Sequence, residues 1–192
     1  AGKPFDVFLK ERIFEPLGMT DTSFWVPHEK SGRFAACYEP AEEGGIKLSK
    51  TPINSDFTQP ARFLSGGGGL VSSTEDYLRF CQMLLNKGRM GSARILGRKT
   101  VETMMANHLP PEVPFIDPGC GFGLGGSVLL DPALAQTLGS VGNWGWGGAA
   151  STKFWIDPRE ELIAILMTQL LPNAETPLHT DFINLTYQSL VD

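Results

Sequence analysis

The sequence predicts an α+β fold, and three observations predict it. Apolar residues recur at helical spacing from Tyr77 to Leu85. After Pro118 the chain becomes rich in β-forming residues separated by turn residues. Helical spacing then returns near the end of the chain, from Leu178 onward. Helices, then antiparallel strands, then a closing helix are typical of an α+β domain.

Composition predicts a single domain and argues against nucleic-acid and membrane partners. Its 192 residues are 42% apolar and 19% charged, which suits a single domain. Acidic residues outnumber basic ones 21 to 16 and no Lys/Arg stripe is present, so we expect no nucleic-acid partner. The longest apolar run, Leu162 to Met167, is far shorter than the roughly 18 residues that span a bilayer. Because no segment is typical of a signal peptide either, we expect a soluble protein without a membrane partner.

Cysteine usage favours a reducing compartment. Cys37, Cys81 and Cys120 are an odd set without a C-x-x-C pair. We therefore expect three buried thiols rather than a disulfide framework, and a cytoplasmic location.

Three helices are expected before the strands. The first begins at Pro4, and residues 15–18 end it. The second starts with a capping box, either Ser73 with Asp76 or Ser72 with Glu75, and ends at residues 86–88. The third covers residues 98–107 and buries Val101, Met104 and Met105 as core residues. Residues 19–69 form a long surface excursion with brief extended pieces near residues 33–39 and 46–49.

The strands are expected at residues 122–130, 151–157 and 162–168, in one sheet. A turn at Asp157-Pro158 joins the last two as an antiparallel hairpin. Since residues 162–166 are apolar without alternation, the last strand is expected to be covered on both faces. One cover is a final helix that Thr176-Pro177 begins, with these residues on its inner face: Leu178, Phe182, Leu185 and Leu190.

Several familiar patterns carry no chemistry here. The G-x-G-x-x-G match at residues 121–126 continues into a strand rather than a helix, so it is not a dinucleotide site. The glycine run at residues 65–69 lacks the Lys of a P-loop and is a turn with close backbone approach. No serine lies in G-x-S-x-G. Five other residues or pairs are expected to be surface, capping or turn residues: His28, His108, His179, Glu42-Glu43 and Glu160-Glu161.

The segment Trp144-Gly145-Trp146-Gly147-Gly148-Ala149-Ala150 has two interpretations that the residues alone leave open. It is a glycine-rich bend with two packed indoles, or it is a binding edge. In the second case glycines let a substrate lie against the chain, while a backbone N–H faces a carbonyl oxygen and an indole forms one wall.

Three segments occur in an order that favours the second interpretation. They are residues 2–22, which contain Pro16-Leu17-Gly18-Met19; residues 67–80, which contain Gly69-Leu70-Val71-Ser72-Ser73; and residues 145–158, which contain Trp146-Gly147-Gly148. Together they resemble the serine β-lactamase and penicillin-binding protein superfamily, and within it the class C-like, family VIII carboxylesterases. The resemblance implies a β-lactamase/transpeptidase-like antiparallel sheet with flanking helices.

The resemblance also implies a role for the glycine-rich segment. Trp146-Gly147-Gly148 is similar to the third motif of that superfamily, which lies on a sheet edge, so these three residues would bind substrate. The N–H of Ala149 would be one of two oxyanion-hole donors, and the other would belong to the nucleophilic serine. We expect neither a metal nor a cofactor.

The superfamily's other two motifs are missing from these residues. No serine stands three residues before a lysine, so there is no Ser-x-x-Lys. Tyr187-Gln188-Ser189 fits the letters of the tyrosine motif, but it follows the third motif in the chain, so we regard it as coincidence. Residues 1–192 are therefore expected to be the C-terminal portion of a single serine hydrolase domain. This chain alone is expected to be inactive.

Substrate and partners follow as expectations. Because Trp146 offers a flat apolar face instead of an ammonium, the resemblance implies a carboxylesterase acting on short-chain uncharged esters. A β-lactamase or D-amino-acid peptidase remains an alternative, as does a non-catalytic binding module of the same fold. The strand at residues 162–168 should lack a neighbour, so we expect it to bind the N-terminal portion or to self-associate through the sheet edge.

Overall fold

The computed structural model describes residues 1–49, 56–172 and 177–191. Its first helical rod consists of α1 (Phe5–Leu9), a π-helical segment (Lys10–Phe14) and α2 (Glu15–Leu17). Gly18 ends the rod at φ +68°, which confirms the predicted helix and its end. The wider π turn was not predicted, because apolar spacing hardly distinguishes it from an α turn.

The surface excursion contains little regular structure, as predicted. It holds a 3₁₀ helix (His28–Arg33) and a small hairpin of β1 (Tyr38–Pro40) and β2 (Ile46–Leu48). Its residues 50–55 lie outside the described part of the chain.

The longest helix, α3 (Thr74–Leu85), lies in the core and buries Cys81, Met83 and Leu84. The Ser73 hydroxyl accepts a hydrogen bond from the N–H of Asp76 at 3.3 Å, so the capping box is the one that begins at Ser73. The Asp76 carboxylate in turn accepts from the Asp21 N–H and the Thr22 hydroxyl, at 2.7 and 2.8 Å. It thereby ties the start of the surface excursion to α3.

A small hairpin and a short helix follow α3. The hairpin consists of β3 (Arg89–Met90) and β4 (Ala93–Arg94), and α4 (Arg98–Met104) is shorter than the predicted 98–107. The side chain of Asn107 accepts from the N–H groups of Leu109 and Phe122, each at 3.0 Å, so the chain leaves the helix to join the sheet. Val101 is buried, and Met104 and Met105 pack against the core as predicted.

Among the described residues, five antiparallel strands form the main sheet in chain order. They are β5 (Cys120–Phe122), β6 (Ser127–Leu129), β7 (Trp144–Gly147), β8 (Lys153–Asp157) and β9 (Leu162–Leu166). The prediction of one strand at residues 122–130 is wrong, because the chain turns back between Gly123 and Gly126, whose backbones hydrogen-bond at 2.8 Å. The β8–β9 hairpin is confirmed.

Helices cover both faces of the sheet at β8. Phe154 contacts Tyr77 of α3 with ring centroids 4.9 Å apart, and its neighbour Trp155 contacts Phe182 of α5 (Leu178–Gln188) at 5.3 Å. Thr176 of the predicted helix start lies outside the described residues. The prediction that Leu185 faces inward is wrong, because this residue is 65% exposed. Leu178 and Leu190 are also exposed.

The prediction of three buried thiols is also wrong in part. All three cysteines are free, but only Cys81 is buried. Cys37 and Cys120 are half-buried because one precedes β1 on the surface and the other lies in the outermost strand β5. Within the described ranges, no helix combines the length and apolar character needed to cross a bilayer.

Candidate functional site

The Trp146-Gly147-Gly148 segment lies at an open margin of the sheet. β7 was not predicted as a strand, and it lies third of five rather than at the edge. Its pairing with β6 covers only Gly145 and Trp144, whereas its pairing with β8 continues to Gly147. Trp146 and Gly147 therefore extend beyond β6, and this half of β7 forms a local sheet edge.

Backbone hydrogen bonds show which groups face that margin. The N–H of Gly148 donates to the Thr152 carbonyl at 2.9 Å. Hydrogen-bonded pairs alternate along an antiparallel ladder, so Trp146 bonds to Phe154 of β8 while Gly147 does not. The N–H and carbonyl of Gly147 consequently point away from β8, toward the margin.

A five-residue loop, residues 148–152, joins β7 to β8 and carries Ala149. The N–H of Ser151 donates to the Gly148 carbonyl at 3.1 Å and closes a turn, and Ser151 has φ +62°, the left-handed residue that ends such loops. Ala149 is exposed, and no group in the described part of the chain accepts a hydrogen bond from its N–H. The loop thus presents a free amide beside Gly147. Its function as an oxyanion donor stays a prediction.

The three glycines of the segment differ in how much space the surrounding protein leaves for a side chain. A Cβ on Gly145 would lie 2.2 Å from the Phe154 carbonyl oxygen, and one on Gly148 would lie 2.3 Å from the Thr152 hydroxyl oxygen. A Cβ on Gly147 would have one atom within 4 Å, the Thr152 carbonyl oxygen at 3.4 Å, which is ordinary contact. The protein's own packing therefore requires Gly145 and constrains Gly148, but it leaves space beside Gly147.

Three aromatic rings form a wall at the same margin, on the face of β7 to which the Trp146 side chain points. The exposed Trp146 contacts Phe122 of β5 edge-to-face with centroids 5.1 Å apart. Phe115, from the loop before β5, lies 5.6 Å from Phe122 and 6.5 Å from Trp146. Sequence reasoning found Trp146 but missed both phenylalanines, because only the pairing of β5, β6 and β7 brings the three segments together.

Lys153, the cationic residue of β8, lies on the face of the sheet opposite the Trp146 side chain. Trp146 pairs with Phe154, whose ring contacts α3, whereas Lys153 pairs with Gly147 and shares the α5 face with Trp155. Among β7 and β8, therefore, the face that carries Trp146 is aromatic and uncharged.

Asp157 and Tyr187 form a structural network at the far end of β8. The buried Asp157 carboxylate accepts from the Tyr187 hydroxyl at 2.8 Å and from the N–H groups of Ser140, Arg159 and Glu160. Burial raises the pKa of Asp157, but these hydrogen bonds outweigh it and leave the pKa below its ordinary value. Burial and the Asp157 charge raise the pKa of Tyr187. Asp157 is four residues, about 13 Å, from Lys153, so Tyr187 is remote from Ala149.

Three other hydroxyl groups, those of Ser151, Ser65 and Tyr77, have structural surroundings. Ser151 is fully buried and donates its hydroxyl to the Leu170 carbonyl at 3.0 Å. Ser65 accepts from the Gly67 N–H in the glycine-rich turn. Burial raises the pKa of Tyr77, which lies on α3 and packs against Phe154.

Histidines and acidic pairs have structural surroundings. His108 and His179 each bond a backbone carbonyl, of Thr103 at 2.7 Å and of Ser151 at 2.8 Å, and His28 is exposed. Glu42-Glu43 and Glu160-Glu161 are exposed turn residues, as predicted. Among the described residues, no three His, Cys, Asp or Glu side chains lie together in a group that could hold a metal ion.

Comparison with known proteins decides the family. The family model described as Beta-lactamase matches residues 1–188. The chain belongs to the beta-lactamase family. This family is one of serine hydrolases, with esterases among them. The resemblance drawn from the three sequence segments is therefore confirmed.

Three relatives illustrate the range of the family. Protein Rv1367c of Mycobacterium tuberculosis is 35% identical over 181 residues, covering 88% of this chain and 44% of that protein. A candidate D-alanyl-D-alanine carboxypeptidase of Escherichia coli is 27% identical over 180 residues, with 88% and 40% covered. Esterase EstB of Burkholderia gladioli is 26% identical over 183 residues, with 88% and 45% covered. The chain thus spans a little under half the length of these relatives.

Solved structures confirm the β-lactamase-like fold. EstCE1, a hydrolase with promiscuous acyltransferase activity, superimposes with a TM-score of 0.83 at 24% identity, over 97% of this chain and 51% of that one. Simvastatin synthase (LovD) from Aspergillus terreus gives 0.80 at 23% identity, over 100% and 52%. At these identities the likeness establishes the fold alone.

Proposed function

We propose that this chain supplies the oxyanion hole and the substrate wall of a serine hydrolase that cleaves short-chain, uncharged carboxylic esters. Ala149 donates its backbone N–H to the carbonyl oxygen, and Trp146, Gly147 and Gly148 line the bound ester. Since the 192 residues contain no Ser-x-x-Lys, the nucleophilic serine, its lysine and the tyrosine belong to a segment outside them.

In this mechanism the serine oxygen attacks the ester carbonyl and forms a tetrahedral oxyanion. The amides of Ala149 and of the serine stabilise that negative charge; removing one such donor typically costs about 2.7 to 4 kcal/mol of transition-state stabilisation. The lysine and tyrosine take the serine proton during this attack. When the oxyanion collapses, the C–O bond to the alkoxy group breaks, and that proton passes to the alkoxy oxygen, which leaves as an alcohol. Water, activated by the lysine and tyrosine, then hydrolyses the acyl-enzyme.

One observation carries the proposal: Ala149 is an exposed residue in the loop that follows the open sheet margin, and its N–H has no acceptor among the described residues. The aromatic, uncharged face around Trp146 supports an uncharged ester rather than a substrate carboxylate. The relative Esterase EstB is named as an esterase, which supports ester hydrolysis in general.

The partner in this proposal binds at β9. Within the described part of the chain β8 is the one strand paired with β9, so its other edge is open. We propose that the N-terminal portion of the protein, or a second copy of this chain, pairs there. Of these two partners, only the N-terminal portion would bring the nucleophile, because a second copy of this chain also lacks Ser-x-x-Lys.

The test uses the full-length polypeptide that contains this chain. A fluorophosphonate should label one serine outside residues 1–192, and the protein should hydrolyse p-nitrophenyl butyrate faster than a chromogenic cephalosporin. Labelling of Ser65 or Ser151 would refute the placement of the nucleophile. Faster cephalosporin cleavage would favour a β-lactamase, and absence of labelling would favour a non-catalytic module.

A matched pair of variants tests the wall. Trp146→Lys should lower kcat/KM for p-nitrophenyl butyrate about tenfold or more, because an ammonium replaces the apolar face. Trp25→Lys makes the same change at an exposed tryptophan of the surface excursion, which has no place in the proposed site, and should leave kcat/KM unchanged. Equal losses in both variants would contradict a substrate-binding function for Trp146.

A further inference from the structure

The loop that carries Ala149 is held by two residues from distant parts of the chain. The Thr168 hydroxyl lies 3.0 Å from the Ala150 carbonyl oxygen and 2.6 Å from that of Ser151, and shares its hydrogen between them. His179 Nε2 lies 2.8 Å from the same Ser151 oxygen. A carbonyl only accepts, so Nε2 carries the proton. Two successive carbonyls of the loop are thus held from outside it.

The loop needs such support because of Ser151. Its φ of +62° is a left-handed conformation that glycine adopts easily and a residue with a Cβ adopts only at a cost in free energy. A strained residue persists where the surrounding structure over-determines it. Here the Ser151 hydroxyl also donates to Leu170, whose own N–H donates to the Ala150 carbonyl at 3.1 Å.

The helix that carries His179 is itself fixed along β8. His179 lies in the first turn of α5, Phe182 packs on Trp155 one turn later, and Tyr187 bonds Asp157 near its end. A hydrogen bond from such a helix holds the loop against a rigid element, which active-site geometry requires.

We propose that Thr168 and His179 are positioning residues that aim the Ala149 N–H at the substrate carbonyl oxygen. The inference rests on the proposed function, because it assigns Ala149 to the oxyanion hole. Neither side chain touches the substrate. They fix the carbonyls of Ala150 and Ser151, and through the short loop they fix the direction of the amide that precedes them. A misplacement of about 1 Å can cost about a hundredfold in rate.

Thr168→Val is the main test in the full-length protein. Valine keeps the shape of threonine but removes the hydroxyl. With rates normalised to fluorophosphonate-labelled sites, kcat for p-nitrophenyl butyrate should fall about ten- to hundredfold while KM changes less than about threefold, since an oxyanion donor acts on the transition state. Thr168→Ser should restore most of kcat.

Thr186→Val is the matched control. The Thr186 hydroxyl also donates to a backbone carbonyl, that of Phe182 at 2.6 Å, but inside α5 and away from the loop. Thr186→Val should leave kcat unchanged. For the second residue, His179→Leu should lower kcat, and His179→Gln, which keeps an N–H donor, should retain most of it.

Amide hydrogen exchange gives a readout that does not depend on turnover. The Ser151 N–H, bonded to Gly148, should exchange faster in Thr168→Val than in the wild type or in Thr186→Val. Unchanged kcat per labelled site in Thr168→Val, or equal effects of Thr186→Val, would overturn the positioning function while leaving ester hydrolysis intact. A wild-type protein that neither binds the fluorophosphonate nor cleaves esters would refute the proposed function itself, and with it this inference.

Discussion

Replacing Gly147 with alanine separates substrate binding from folding. The added Cβ would meet one atom within 4 Å, at 3.4 Å, and the φ of Gly147 is not positive. Alanine therefore fits, and by restricting the unfolded chain it should change the free energy of unfolding by no more than about 1 kcal/mol. The methyl group would, however, project beside the Gly147 backbone at the margin where we place the ester, on the face opposite the Trp146 side chain. If it displaces the reacting carbonyl by about 1 Å, kcat/KM should fall about a hundredfold, or about 2.7 kcal/mol in activation free energy.

Gly145→Ala is the matched change, two residues earlier in the same strand. Its Cβ would lie 2.2 Å from the Phe154 carbonyl oxygen and 2.8 Å from the Trp155 Cβ, so the backbone of β8 must move. Overpacking of this kind costs about 1 to 3 kcal/mol or more. This variant should lose stability first, whatever its activity.

The two variants are compared in the full-length protein. Urea unfolding gives the free energies of unfolding, and hydrolysis of p-nitrophenyl butyrate per fluorophosphonate-labelled site gives kcat/KM. We expect Gly147→Ala to be stable and poorly active, and Gly145→Ala to be destabilised. Normal kcat/KM in Gly147→Ala would refute the idea that the ester lies against this residue, and a stable Gly145→Ala would refute the packing argument.

Two further predictions concern acid stability and the open sheet edge. Because hydrogen bonds hold the pKa of Asp157 below its ordinary value, its carboxylate stabilises the fold above about pH 4, and this contribution disappears as pH falls through the lowered pKa. Urea unfolding should give Asp157→Asn a lower free energy of unfolding than wild type at pH 7, and this difference should shrink below pH 4. The control Asp181→Asn, at an exposed position, should match wild type at every pH. A difference between Asp157→Asn and wild type that stays constant with pH would contradict the prediction. Along β9, Ala164 bonds to β8, so the N–H groups of its neighbours Ile163 and Ile165 point to the open edge. In the full-length protein the partner at β9 should protect these two N–H groups from hydrogen exchange. If they exchange as fast as exposed loop amides, no partner strand is bound there.

Elements with local determinants could be predicted from the sequence. α3 was predictable because Ser73 caps its start and Gly88, at φ +93°, follows its end. The β8–β9 hairpin was predictable because Pro158 favours the turn after Asp157. In both cases the decisive residues are neighbours in the chain.

Elements decided by tertiary contacts could not be predicted. Half of β7 is glycine, which has low β propensity, and it is a strand because β8 pairs with it over four residues. Leu185 fits an inner helical face by spacing, but Phe182 and Tyr187 contact Trp155 and so set which side of α5 meets the sheet. The aromatic wall was missed for the same reason, since Phe115 and Phe122 meet Trp146 only through the sheet.

The features that the fold does not explain lie together at one place. Glycine within a strand costs stability, and nothing in the packing requires it at position 147. Trp146 exposes 42% of its surface, and Ser151 adopts a left-handed conformation that costs free energy. Each of these costs would be easy to remove by substitution if folding were the sole requirement. Their coincidence around the free amide of Ala149 is what a site under functional constraint would produce, because such sites violate local rules that the rest of a protein obeys.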